Sequence, residues 1–180
     1  VMEPKPGIYH NVLVLDFKSL YPSIIKTFNI DPISMLNKKE KGAIETVNKV
    51  YFKNTEGILP HIIEKLHNER ERAKKEDREL ASYAIKIIMN SFFGVLASPN
   101  CRYFSLEMAN AITHTGQEII QLTAKKIEEK GIDVIYSDTD SIFASAKTTK
   151  VKELGSELQE YINNFYKDYM KEKHNRKSYL

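Results

Sequence analysis

A chain of 180 residues is long enough for one domain with a real core, and 42% apolar with 28% charged residues is an ordinary globular composition. No apolar run reads as long enough to span a membrane, no signal-peptide pattern opens the chain, and the single cysteine, Cys101, excludes an internal disulfide and fits a reducing compartment. A net charge of +3 is too small to mark a nucleic-acid binder by itself, yet it is unevenly placed. Arg70, Arg72, Lys74, Lys75, Arg78 and Lys86 crowd one stretch, and Lys171, Lys173, Arg176 and Lys177 crowd another. On composition alone each cluster reads as a solvated helix face.

In chain order, residues 11–16 read as a buried strand ending at Asp16. Ser19 can cap a helix over about 20–28, with Pro22 tolerated in its first turn, and Asp31-Pro32 ends it. Residues 33–56 are polar and read as irregular. The spacing predicts a helix over 58–76 whose apolar first half packs and whose charged second half has little to bury. Ile62, Leu66, Arg70 and Lys74 share one of its stripes. A second helix is predicted over 79–93, ended by Gly94. Its packing face would be Leu80, Ala84, Ile87, Ile88 and Ser91, with Lys86, Asn90 and Phe93 on a separate stripe. Together the two make a helical hairpin presenting Arg70 and Lys74 on one arm and Lys86 and Asn90 on the other.

After a loop over 95–104, a long helix is expected from Ser105 to Lys130, closed by Gly131. A β-hairpin follows over Ile132–Ala146. A final amphipathic helix would use Val151, Leu154, Leu158, Tyr161, Ile162, Phe165 and Tyr169. Adjacent antiparallel strands exclude a wholly parallel sheet. The expected class is α+β: a small antiparallel sheet backed by helices, with the helical hairpin standing off it.

The chemistry concentrates at Asp138-Thr139-Asp140, at the turn of the β-hairpin. An Asp at a strand end is most often a turn former or a cap, and a lone Asp-x-Asp is weak. With Asp16, however, three hard oxygen donors would converge at one sheet edge, a donor set for Mg²⁺ rather than for softer metals. Two ions about 3.5–4 Å apart could share them. Arg70, Lys74 and Lys86 would supply the cations that polyphosphate chemistry needs, and the helix start after Asp16 offers backbone N–H groups to phosphate. Tyr21, one turn into that helix, could press on a bound sugar.

These residues carry a family resemblance. Asp16-Phe17-Lys18-Ser19-Leu20-Tyr21-Pro22-Ser23-Ile24 resembles the first palm motif of family B DNA polymerases. Lys86-Ile87-Ile88-Met89-Asn90-Ser91-Phe92-Phe93-Gly94 resembles their fingers motif, and Tyr136-Ser137-Asp138-Thr139-Asp140-Ser141 their second palm motif. The run from Ala84 to Phe143 is similar to the bacterial DNA polymerase II branch and its archaeal relatives. The resemblance implies palm over 1–56 and 95–180 and fingers over 57–94, without exonuclease or thumb. It implies Asp16 and Asp140 as principal ligands of two Mg²⁺ ions, Asp138 as auxiliary, and the Phe17 carbonyl as a further ligand. The amides of Ser19 and Leu20 would contact the dNTP, and Tyr21 would exclude a ribose 2′-OH. Arg70, Lys74, Lys86 and Asn90 would grip the triphosphate, with Lys86 the proton donor to pyrophosphate. Primer–template DNA and dNTP are the implied partners, no membrane is implied, and the nucleoid in the cytoplasm is the implied location. Phe93 departs from the family's usual Tyr, which removes a hydroxyl from the nascent pair.

Two other readings compete. A haloacid-dehalogenase-type phosphatase would use Asp138 as nucleophile, but requires a parallel sheet and a helix after the motif, where Ile142–Ala146 reads as strand. A nucleotide- or DNA-binding fragment without turnover is the third. Both ends look cut, and the isolated segment is expected to synthesise DNA weakly or not at all.

Overall fold

The computed structural model describes residues 2–146 and 148–180. Among the described residues, five helices and two small antiparallel sheets make an α+β fold, as expected. It divides into two compact units, one of residues 1–20, 116–178 and Leu180, the other of residues 21–115 and Tyr179.

In the first unit, β1 (Val12–Asp16), β5 (Asp133–Asp138) and β6 (Ser141–Ser145) form a sheet in the order β1-β6-β5, all antiparallel. Strand β1 is an edge strand and not the buried strand expected. Val14 is 56% exposed, and only Leu13 and Leu15 turn inward. Four consecutive apolar residues cannot reveal that only one face of their strand is covered. The inner face is sealed by Val134, Ile142 and Ala144. The N-terminal segment screens the other edge, where the Lys5 N–H donates to the Ile135 carbonyl at 3.0 Å and Met2 bridges to Ser137.

Helix α5 (Val151–His174) lies along β1, so closely that a Cβ on Gly155 would stand 3.2 Å from Leu13 Cδ2. Its buried stripe is Leu158, Ile162, Tyr166 and Met170, an unbroken i, i+4 series. Of the seven positions expected on this face only Leu158 and Ile162 are fully buried, and Tyr166 and Met170 take the deeper places. The Tyr166 hydroxyl explains how a phenol is tolerated there. It donates to the Ile119 carbonyl at 2.7 Å and shares a hydrogen bond with Thr123 at 2.7 Å, and burial keeps its proton on by raising its pKa.

In the second unit, α1 (Leu20–Phe28) ends in a polar knot rather than at a simple proline break. Asn29 adopts a left-handed conformation (φ 54°) and accepts from the Gly57 N–H at 2.8 Å while donating to the Lys53 and Thr55 carbonyls. Asp31, almost wholly buried, accepts from the N–H groups of Ile33, Ser34 and Leu59 at 2.8–3.2 Å. Leu59 lies in the first turn of α2 (Ile58–Lys75), so a residue far away in sequence caps that helix. Gly57 allows the approach: a Cβ there would stand 2.7 Å from Asp31 Cβ. The stretch expected to be irregular instead carries β2 (Met35–Leu36), β3 (Ile44–Glu45) and β4 (Tyr51–Phe52), paired β2-β4-β3 around buried Ile44 and Phe52. Two-residue strands are too short to show alternation in a sequence.

Helix α3 (Glu79–Ala97) returns against α2. It buries Ser82, Met89 and Leu96, spaced by seven, while Leu80, Ala84, Ile87, Ile88 and Ser91 face outward. The packing face expected for this helix is therefore the exposed one. With apolar residues nearly all round, α3 has no unique stripe to read. Gly94 does not end it, because Leu96, two residues further on, is buried and holds the last turn in place. Among the described residues, α3 is the one helix long and apolar enough to cross a membrane by length and composition, which corrects the expectation that no run approaches that length. Lys86 and Asn90 stand at its middle. Helix α4 (Leu106–Glu128) then leads to Gly131 (φ 78°), whose N–H closes on the Glu128 carbonyl at 2.8 Å.

Candidate active site

Strand register places two of the acids on one row. Asp16 pairs with Ser141, and Ser141 pairs with Asp138, so all three share one face at one end of the first unit's sheet. It is the face away from Ile142 and Ala144, and both Asp16 and Asp138 are exposed. The next row on that face is Val14, Phe143 and Tyr136, with the two rings 5.6 Å apart.

Asp140 occupies the two-residue turn with Thr139. Thr139 has φ 45°, a left-handed conformation that a β-branched residue adopts only under constraint. Hairpin turns of this length favour glycine at such a position. Strain of this kind costs on the order of 1–3 kcal/mol and gathers at functional sites. Thr139 Oγ1 donates to Asp138 Oδ1 at 3.0 Å, and Ser141 Oγ donates to Asp16 Oδ1 at 2.9 Å. The Phe17 N–H donates to the Asp140 carbonyl at 2.9 Å, which ties the end of β1 to the turn.

The electrostatics follow from this placement. Partial burial pushes the Asp140 carboxyl above its ordinary value, and repulsion from Asp16 pushes it further, with Asp138 adding a smaller push. Its own backbone N–H and the Ser141 hydroxyl pull the other way. A crowded carboxylate of this kind favours a cation. The donor set is all oxygen, which suits Mg²⁺. Among the described residues no three acid, imidazole or thiol groups already stand as a closed metal cluster, so an ion here would complete its shell with backbone carbonyl, phosphate or water oxygens.

In the second unit, the hairpin of α2 and α3 holds an open groove of about 580 Å³. Arg70, Lys74 and Lys86 all line it, together with Asp77 and Glu79. Asn90 is exposed on α3 but is not part of the lining. Among the described residues Arg70 Nε is buried without a hydrogen-bond partner, whereas Lys74 Nζ is held by Glu71 at 3.0 Å. The Tyr21 ring rests against Phe93, centroids 4.8 Å apart. Ser19 has φ 55°, which turns the chain from β1 into α1 and sets Leu20 as its first helical residue.

Sequence reasoning missed Ser141 and Thr139 as partners of the acids, and Asn29 and Asp31 as the base of the hairpin. The period-2 alternation was a usable signal for Ser141, since a strand residue between two acids on neighbouring strands must share their face.

The haloacid-dehalogenase arrangement is not found. The Asp-x-Asp turn leads into β6, and both sheets among the described residues are antiparallel.

Known proteins resemble this chain throughout its length. Residues 1–174 match the family described as DNA polymerase family B. DNA polymerase II of Escherichia coli is 40% identical over 171 residues, covering 91% of this chain and 22% of the relative. A DNA polymerase of Desulfurococcus is 37% identical, covering 91% and 23%. The solved family B DNA polymerase of Pyrobaculum calidifontis superposes with a TM-score of 0.72 at 28% identity, covering 98% of this chain and 24% of that one. The chain thus spans less than a quarter of the length of these relatives.

Proposed function

Since this chain belongs to DNA polymerase family B, we propose that it is the catalytic core of a DNA-templated DNA polymerase, transferring a nucleotidyl group from a dNTP to a primer 3′-OH. The observation that carries the reading is the row Asp16–Ser141–Asp138 beside a crowded Asp140. Asp16 and Asp140 would be the principal ligands of two Mg²⁺ ions, with Asp138 and the Phe17 carbonyl in support. Bound Mg²⁺ would lower the pKa of the attacking hydroxyl and stabilise the leaving pyrophosphate.

The chain's own residues would orient the reactants. The Ser141 hydroxyl holds one oxygen of Asp16 and leaves the other for an ion. Arg70, Lys74 and Lys86 would take the triphosphate, Arg70 through the outer nitrogens of its guanidinium and Lys86 as proton donor. Ser19 and Leu20 would offer backbone N–H groups, and Asn90 a side-chain amide. Tyr21, backed by Phe93, would leave no space for a 2′-OH. In this reading residues 1–56 and 95–180 are palm and 57–94 fingers, and primer–template DNA is the partner.

Calorimetry of a dNTP with the chain, with and without Mg²⁺, tests this. Binding should require Mg²⁺ and should vanish in Asp16→Asn. Metal-independent binding unaffected by that change would overturn the role given to the acids.

A further inference from the structure

The end of α5 forms a second basic groove, of about 500 Å³, whose residues all belong to the first unit and none to the acidic edge. The structure sorts the cations that crowd this part of the sequence. Lys173 turns to Glu118 at 2.9 Å and to the Tyr169 hydroxyl, so it is neutralised internally. Lys171 is not. It joins Lys167, Arg176 and Lys177 in lining the groove.

Local geometry explains how they meet. Asn163, Lys167, Lys171 and Asn175 follow at i, i+4, about 6 Å apart along the helix axis. Asn175 takes a left-handed conformation (φ 50°, ψ 41°), its N–H closing on the Lys171 carbonyl and that of Arg176 on the Met170 carbonyl. This cap folds the chain back, so that Arg176 and Lys177 reach the groove already lined by Lys167 and Lys171.

Complementing the helix dipole does not account for the pattern. That effect is confined to the last turn, and Lys167 lies two turns from the end. Like charges at i, i+4 also repel along a helix. Among the described residues neither Lys167 nor Lys171 has an ion-pair partner, and no acidic side chain lines the groove, where the one carboxylate is the chain-terminal group of Leu180. The α5 acids Asp168 and Glu172 are exposed but lie outside the lining. The hairpin groove differs, for it is tempered by Asp77 and Glu79.

We propose that this groove binds the phosphodiester backbone of a nucleic-acid strand. Several cations in series suit several phosphates in series, and the amides of Asn163 and Asn175 can donate to phosphate oxygens. No aromatic ring lines the groove to stack a base, so binding is independent of sequence. The contact needs no metal, and it stands or falls separately from the catalytic reading.

The test is fluorescence anisotropy of a labelled oligodeoxythymidine with the 180-residue chain, across a salt series in EDTA. The Lys167→Ala/Lys171→Ala chain should flatten the slope of log affinity against log salt by about 1.4, two phosphate contacts at roughly 0.7 each. Lys167→Gln/Lys171→Gln, which keeps the side-chain stems, should do the same. The control Lys125→Ala/Lys152→Ala removes equal charge from exposed sites outside the groove and should change the slope far less. An equal effect from both pairs, or none from either, overturns the proposal. So does tighter capture of acidic peptide or anionic vesicles than of oligonucleotide through the same two lysines.

Discussion

Asp16 and Asp138 end strands whose inner face is closed by fully buried Ile142 and Ala144, Asp140 stands in the turn beside them, and each acid is fixed by a hydrogen bond, a turn or both. Arg70, Lys74 and Lys86 ride on two helices whose shared surface narrows to Ala73 and Ser82 toward the hairpin tip, while Leu80, Tyr83 and Ile87 stay exposed. The acids are therefore backed by a sealed sheet on one side and tied by hydrogen bonds at its end, while toward the hairpin tip the cations have little beyond their own two helices. The acids stand over a sealed sheet, and the cations stand on helices that bury little toward the hairpin tip, where local opening costs least.

The sharpest way to break this comparison is at the base of the hairpin. Asp31→Ala removes the acceptor of three backbone N–H groups, one of them in the first turn of α2. The expected loss is about 4 kcal/mol in urea unfolding, since each bond to a buried charged group contributes roughly 1.5–3 kcal/mol and the three are not additive. An unchanged midpoint would mean that α2 needs no anchor. Next in size is Ile142→Ala under the acidic edge, expected to cost about 3 kcal/mol, against less than about 0.5 kcal/mol for Leu80→Ala on the open face of α3. Equal losses would show that α3 is covered in solution.

Lys86→Ala should weaken dNTP binding by about 2 kcal/mol, the worth of one charge-assisted contact, with the unfolding midpoint unmoved. A shifted midpoint would make Lys86 structural. The smallest effect concerns Asp140. Because its folded pKa is raised, the folded chain binds more proton than the unfolded one between the ordinary value of 3.8 and the raised one. Stability therefore falls as pH rises through that window, and the repulsion persists at neutral pH. Asp140→Asn should raise the midpoint slightly at neutral pH and abolish stabilisation by added Mg²⁺. A lowered midpoint would mean that the repulsion is already neutralised in the folded chain.

Much of the architecture was legible in the chain itself. Helix bounds near 20–28 and 58–76, the β-hairpin around Asp138 and Asp140, and the pairing of Arg70 and Lys74 with Lys86 all follow from periodicity and punctuation, and the structure has each of them. The three motifs were equally plain, because each is a continuous stretch of at most nine residues, within one helix or across a single turn between two elements. Asp31 was read only as a helix breaker, since a bond to Leu59 leaves no trace in local spacing.

Local patterns thus determined which segments are helix or strand and which residue types carry the chemistry, because hydrogen-bond period and turn stereochemistry act over a few residues. Only the tertiary structure decided which face of each element is covered. Helix α3 and strand β1 are apolar on more than one side, so burial was settled by what packs against them: α2 against α3, and α5 against β1 beside Leu13. The same long-range packing made Tyr166 a core residue and left Val14 in the open, a choice that the chain's own sequence of apolar residues permits but does not make.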